Sequence, residues 1–326
     1  MEEEVVLKPK LSILLPATHG YESVRAALAS WEAQTRRDQL EILVLCPDPE
    51  PTVDPTAGQR IITTGSRDLH EARALGALEV SADYVMLAED HCLPDPDWTE
   101  AIVERLDEGW DAIGATLRPG NRTTTWAEGS FLIGYGEWME PVESGPVRTM
   151  SGWNVVIRTD LMRQRGERLP RDLILAAFLM RDFAREGRRF VLENRARMRH
   201  FDPPGGLRQL GLVRIVGLGF GALRTAAWPR VARLLYPLAV PAIAALHWRR
   251  AVREYLRAGR ACGLHASSLF SSLVLAFAWG IGEAIGAAKG LDAVIPKIWE
   301  TEIKPVSRED VARSDRAESA LAVQRS

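Results

Sequence analysis

Three cysteines are all this 326-residue chain has, Cys46, Cys92 and Cys262, far apart and without metal-type pairing. That scarcity excludes a disulfide framework and suits a reducing compartment. The opening Met-Glu-Glu-Glu lacks the basic, then apolar, layout of a secretory signal, so the N-terminal part is expected to stay in the cytoplasm. No internal repeat is visible. Net charge is nearly absent, at −2, so no single global field selects a partner. The charge is nonetheless unevenly placed. Between Pro203 and Ala266 there are ten arginines and one acid, Glu254, a local balance of +9. A belt of that kind meets anions, either membrane lipid or nucleic acid. Its arginines alternate with apolar segments rather than with polar and stacking residues, which favours anionic lipid over nucleic acid.

Of what is present, the stretch Asp83 to His91 says most. Tyr84 to Ala88 is a near-continuous apolar run, as expected for a strand buried on both faces of a parallel sheet. Glu89, Asp90 and His91 follow at once, and Leu93-Pro94-Asp95-Pro96-Asp97 stops the strand. Ligands of open α/β sheets bind at the carboxyl ends of strands, and acidic groups there hold a divalent cation against a diphosphate. The plain alternative is a solvated acidic turn.

Strand and helix patterns alternate through the first third. Strands are expected at Leu11–Leu15, Glu41–Leu45, Arg60–Thr63 and Asp111–Leu117, with helices near Val24–Trp31, at Arg67–Val80 and at Asp95–Glu108. That alternation argues for βαβ units and a mostly parallel sheet flanked by helices. Asp48 to Gly58 and Arg118 to Val147 read as loops, the second as a substrate region in which Trp126 and Trp138 are candidates to line an acceptor cleft. Trp153–Ile157 is strand-like, Thr159–Arg165 and Arg171–Glu186 are helical, and Arg189–Leu192 and Arg195–Arg199 close the domain as two short strands.

The character changes at Pro203-Pro204-Gly205-Gly206, which sets the expected boundaries: a domain over 1–202, a helical, basic, membrane-associated region over 203–290, and a polar, flexible tail over 291–326. Leu234–Trp248 is apolar but short and broken by Pro237 and Pro241. Ser267–Ala288 is long enough to span and carries one charge, Glu283, which is expected to meet an arginine. A spanning hairpin would export the arginines between Arg249 and Arg260, against the positive-inside tendency, so an interfacial or re-entrant arrangement fits better. Two buried core helices are the soluble alternative.

From Lys10 to Asp202 the pattern resembles family 2 glycosyltransferases, of the GT-A fold class. Leu11 to Thr18 looks like the family's first strand with its closing proline, and Glu41 to Leu45 like its second. Ala72-Arg73-Ala74-Leu75-Gly76 resembles Ala-Arg-Asn-x-Gly, with alanine for asparagine. Glu89-Asp90-His91 sits where the family has Asp-x-Asp, Ser151 to Arg158 resembles the acceptor-side strand, Arg171-Asp172 stands for the catalytic Glu-Asp pair, and Ala196 to His200 for the closing strand. Cys46-Pro47, with Asp48 one residue late, departs from the family's Asp-Asp pair.

What the resemblance implies is an inverting transfer of a sugar from a nucleotide-diphosphate sugar; the apolar segments and the acidic N-terminus add the expectation of a lipid-linked or polysaccharide acceptor met at the cytoplasmic face of the cell membrane. The resemblance assigns Pro16, Ala17, Thr18, Arg73, Glu89 and Asp90 to the donor, Trp153 and Asn154 to the acceptor, and Asp172 to the general base. Asp90, His91 and His200 are assigned to a divalent metal, Mn²⁺ or Mg²⁺, with Mn²⁺ favoured by the mixed imidazole and carboxylate set. The altered motifs also admit a degenerate fold that binds a nucleotide sugar or partner and scaffolds a membrane assembly. A nucleotidyltransferase fits less well, because Ala17 to Tyr21 offers one glycine and no lysine.

Overall fold

A computed structural model describes residues 8–50, 55–56, 58–121, 124–202, 205–298 and 309–316. The expected boundary at Pro203-Pro204 and much of the expected tail lie outside the described residues. The chain divides into two compact units, one of Met1–Thr116 with Glu143–Met198, the other of Leu117–Val142 with Arg199–Ser326.

The first unit is built on a nine-stranded sheet. Its strands are β1 (Leu11–Pro16), β2 (Leu40–Cys46), β3 (Gln59–Thr63), β4 (Tyr84–Leu87), β5 (Cys92–Pro94), β6 (Ala112–Pro119), β7 (Gly145–Val147), β8 (Val155–Arg158) and β9 (Phe190–His200). The order is β3-β2-β1-β4-β8-β6-β9-β5, with β7 on β9. Strands β3, β2, β1 and β4 are parallel, and β1 and β2 are buried along their whole length, which is why they read as unbroken apolar runs. β8 enters antiparallel between β4 and β6, so the sheet is mixed beyond the parallel half.

Around the sheet lie α1 (Arg25–Glu32), α2 (Leu69–Glu79), α3 (Trp98–Leu106), α5 (Thr159–Arg163), α6 (Leu169–Asp172) and α7 (Ala176–Arg185); α4 (Thr125–Gly134) belongs to the second unit. α1 and α3 are locked by the edge-to-face pair Trp31–Trp98, centroids 5.0 Å apart. Buried Gln34 completes the joint: its oxygen accepts from Thr99 N and Oγ1, its nitrogen donates to Ser30 O and Asp95 O.

Three expectations shift. Arg171–Glu186 is two helices, interrupted at Leu173–Leu175, and the two expected closing strands are one continuous β9. Within Arg118–Val147 lies α4, whose apolar and small residues are buried on several sides, so its sequence shows no one-sided period.

The second unit also contains α8 (Gly206–Arg224), α9 (Arg230–Leu235), α10 (Val240–Glu254), α11 (Ser268–Lys289) and α12 (Ile295–Ile298). Among the described residues, three helical stretches are long and apolar enough to cross a membrane: Gly206–Arg224, Arg230–Gly259 and Ser268–Lys289. α8 and α11 meet at backbone distance, since a Cβ on Gly221 would lie 2.0 Å from Glu283 O and one on Gly286 1.9 Å from Leu218 O. Glu283 is fully buried. Its carboxylate accepts from Arg224 Nη1 (2.8 Å), Trp279 Nε1 (2.8 Å) and the Tyr236 hydroxyl, which supplies the arginine partner its position requires.

The amino ends of the parallel strands are tied by a second buried carboxylate. Glu41 accepts from Ser12 Oγ (2.6 Å), Ser81 N (2.9 Å) and Arg60 Nη1 (3.0 Å), joining β1, β2, β3 and the entry to β4. Burial pushes this carboxyl up, but the hydrogen bonds from Ser12, Ser81 and Arg60 outweigh it and hold the group below its ordinary 4.5. A carboxylate with a depressed folded-state pKa stabilises above its unfolded value and loses that contribution as pH falls through the folded one. Glu41→Gln should therefore cost about 1–3 kcal/mol at neutral pH. The gap in melting temperature between the two proteins should close as pH drops below 4.5.

Candidate active site

Because β3, β2, β1 and β4 are parallel, their carboxyl ends share one edge of the sheet. Pro16-Ala17-Thr18, Cys46 to Asp48 and Ala88 to His91 all fall there. Antiparallel β8 brings its amino end, Trp153-Asn154, to the same edge, and Asn154 N donates to Leu87 O at 2.8 Å.

Asn154 has a left-handed backbone, φ 55°, which asparagine tolerates better than most residues. The turn aims its amide at Glu89. Nδ2 donates to Glu89 Oε2 at 2.6 Å, and Oδ1 accepts from Glu89 N at 3.3 Å. Both ends of the amide are thus spent on positioning Glu89. Trp153 is half-buried against the core, and the Arg73 guanidinium lies over its ring, 4.0 Å from the centroid. Arg73 is itself buried and donates from Nη2 to Ala88 O at 3.0 Å. It braces the end of β4 rather than lying on a solvated helix face.

Asp90 and His91 are also buried. His91 Nδ1 is 2.7 Å from Asp90 Oδ1, and Nε2 is 3.9 Å from Glu89 Oε1. Asp90 Oδ2 is buried with no hydrogen-bond partner among the described residues. An imidazole oriented through one nitrogen by a carboxylate, with the other nitrogen turned to a second carboxylate, is how a histidine ligand is presented to a metal. With the orphaned Asp90 oxygen beside it, this donor set fits a divalent cation. His200, the last residue of β9, falls in the second unit, where its Nδ1 is 3.0 Å from Asp202 Oδ2 and its ring packs on Tyr135 at 4.4 Å. Its ring is oriented in the same way as that of His91.

At the end of β1, Ala17 N donates to Leu45 O and continues the ladder. Thr18 O accepts from Arg67 Nη1 at 3.3 Å, and Arg67 Nη2 donates to Asp48 Oδ2 at 2.8 Å. Thr18 Oγ1 is buried without a hydrogen-bond partner among the described residues. Arg67 went unnoticed in the sequence because one arginine in a Ser-Arg-Asp loop is indistinguishable from a solvated charge. Burial pushes the Cys46 thiol up to about 11, so at neutral pH it is protonated.

Asp172 closes α6. Its oxygens face Arg165 Nε at 3.9 Å and Arg168 Nη2 at 3.7 Å, beyond hydrogen-bond reach, and Oδ2 is buried without a hydrogen bond. Burial pushes its carboxyl above the ordinary 3.8, against the pull of both arginines. Trp126 lies in the second unit, packed on Gly206 and on the apolar cluster of Val213, Leu275 and Trp279. Trp138 is half-buried beyond the end of α4.

Residues 12–166 match the family model described as Glycosyl transferase family 2. Among solved structures, the chain is similar to GalNAc-T7 crystallised with UDP, GalNAc and Mn²⁺, at 12% identity and a TM-score of 0.44 over 59% of this chain; it spans 43% of the length of that one. It is also similar to a mycobacterial protein, at 16% identity and a TM-score of 0.38, covering 60% of this chain and 68% of that one. No curated protein matches the chain.

The lock on Glu89 is directly testable. Asn154→Ala removes both hydrogen bonds and should weaken Mn²⁺ binding by roughly tenfold to a hundredfold, read by electron paramagnetic resonance of bound ion. An unchanged affinity would take Glu89 out of the ion's shell.

Proposed function

We propose, on the match of residues 12–166 to the glycosyl transferase family 2 model, that the protein transfers a sugar from a nucleotide-diphosphate sugar to a lipid-linked or polysaccharide acceptor by inverting displacement. The observation that carries this reading is the Glu89-Asp90-His91 turn, its Asp90 and His91 buried and its Glu89 held by Asn154, at the carboxyl ends of the parallel strands. A buried acidic and imidazole set of that kind is costly without a cation to complete it. Glu89, Asp90 and His91 would hold the metal, and His200, oriented by Asp202, keeps the ligand role that resemblance assigns it. The bound divalent cation supplies positive charge to the departing diphosphate.

The chain's own groups divide the rest of the work. Thr18, with its unsatisfied hydroxyl, and the Arg67–Asp48 pair at the ends of β1 and β2 are placed to receive polar atoms of the nucleotide. Arg73 and Trp153 brace the turn from below. Asp172 takes the acceptor's proton at its buried, unbonded Oδ2; a carboxylate raised by burial is a stronger base than a solvated one. The helices of the second unit hold the protein at the cytoplasmic face of a membrane with anionic lipid, where lipid-linked acceptors are met by proximity.

A second reading, donor binding without turnover in a scaffold, draws on Asp172, whose two arginine neighbours suit a purely structural ion cluster.

Nucleotide release from UDP-, GDP- and dTDP-sugars with Mn²⁺ or Mg²⁺, in the presence of membrane acceptors, should occur with one donor and disappear in Asp90→Asn and in chelator. Asp172→Asn should lower kcat by roughly 10²- to 10⁴-fold with donor binding retained. The base works only when ionised, so the wild-type rate should fall as pH drops through a value above 3.8. Donor binding without release under any of these conditions would favour the scaffold.

A further inference from the structure

α8, the α9–α10 stretch and α11 have the length and composition to cross a bilayer, but two placements inside the second unit do not suit crossing. The first concerns the two ends of the helical layer. α8 and α11 run parallel, with Gly221 against Glu283 and Gly286 against Leu218 and Ala222. α10 runs back between them in sequence, its Trp248 Nε1 donating to Leu269 O at the start of α11 and Val240 lying against Gly280. One end of the layer therefore holds Arg224, Arg230 and Lys289, and the other holds Gly206, Gly259 and Ser268. Along the 19 residues of α8 these ends are about 28 Å apart.

α12 follows Lys289 by a tight turn, Val294 N donating to Leu291 O, and belongs to the first end. The helical residues 309–316 belong to the second. Asp315 pairs with Arg199, and Arg199 precedes Asp202, whose carboxylate meets Gln209 at the start of α8. Were the helices spanning, the hydrocarbon would separate Ile298 from Glu309. The sequence between them carries Glu300, Glu302, Lys304 and Arg308 and is interrupted by Pro305. By sequence alone, those residues lack the apolar length and character of a spanning segment.

The second placement is Arg214. It lies inside α8, exposed, and has no acidic partner among the described residues. On a spanning helix it would face lipid tails; on a helix above the membrane plane it faces water.

The longest closely spaced apolar stripe is on α9–α10; α11 also exposes Phe270, Phe277 and Ile281, and α8 exposes Leu207 at its start. Val231, Leu234, Leu235 and Leu238 form one stripe at i, i+3, i+4 and i+7, and they are 69%, 68%, 57% and 79% exposed. Exposed Trp228 and Trp248 flank the stripe, as at membrane interfaces. Exposed Arg230, Arg249 and Arg250 stand at its two ends, ready for anionic headgroups.

We infer that the helical unit is monotopic: it lies on one leaflet of an anionic bilayer, embedded through the face of α9–α10, and does not span it. This rests on the membrane association proposed above, and its readout needs no sugar transfer.

The test uses the full chain in membrane vesicles of both orientations, with Cys262→Ser to remove the half-buried native thiol. Single exposed reporters, Ala226→Cys in the α8–α9 turn and Ala266→Cys before α11, are treated with a membrane-impermeant maleimide. A monotopic layer gives labelling of both reporters in the same vesicle orientation and protection of both in the other. Labelling in opposite orientations would establish spanning and overturn the inference, as would recovery of the wild type in the soluble fraction. Leu234→Glu combined with Leu238→Glu alters only exposed side chains and should release at least tenfold more protein from the membrane. Unchanged retention with an unchanged circular dichroism spectrum would remove α9 as the embedded face.

Discussion

A carboxylate taken out of water must have its oxygens answered, and this protein is organised around several that are. Glu41 ties the amino ends of the parallel strands, Glu89 is gripped by Asn154 at their carboxyl ends, and Glu283 gathers Arg224, Tyr236 and Trp279 among the apolar helices. Glu193 and Glu128 are likewise fully buried, the first between Arg105 and Arg195, the second on His265. Leaving any one unpaired would cost more than its hydrogen bonds return.

Against that background the unanswered buried atoms among the candidate site residues stand out. Asp90 Oδ2 and Asp172 Oδ2 are buried without hydrogen bonds, and so is the Thr18 hydroxyl. Two of these three lie at the carboxyl edge of the parallel strands, where an α/β sheet leaves a crevice for ligand. The amino edge, closed by Glu41 and Arg60, is the stabilising end of the same sheet. The stabilising Glu41 cluster and the candidate site thus lie at opposite ends of the same strands.

The second unit solves a different problem. α8 and α11 approach until glycine is the only residue that fits between Gly221 and Glu283, and Arg224 of α8 is turned onto Glu283 of α11. α9 and α10 do the opposite, leaving leucines exposed beside arginines. One layer thus contains a tightly packed pair and an amphipathic face, and the amphipathic face carries the longest closely spaced stripe of exposed leucines.

Much of this was legible in the chain itself. β1, β2 and β4 announced themselves because strands buried on both faces have no polar alternation, and Glu89-Asp90-His91 stood out because ionisable residues directly after such a run need a reason. The apolar length of α11, and the need of Glu283 for an arginine, were equally plain. α4 was hidden, since a helix buried on several sides loses the period that reveals it, and α8 was hidden by its glycines and arginines. That Asn154 would turn back through a left-handed backbone to hold Glu89, that Arg73 would cover Trp153, and that Asp172 would sit between Arg165 and Arg168 depended on contacts between residues far apart in sequence. Composition and periodicity report what a residue prefers next to its neighbours along the chain. Which partner a buried polar atom finds is settled only when the sheet and helices close around it.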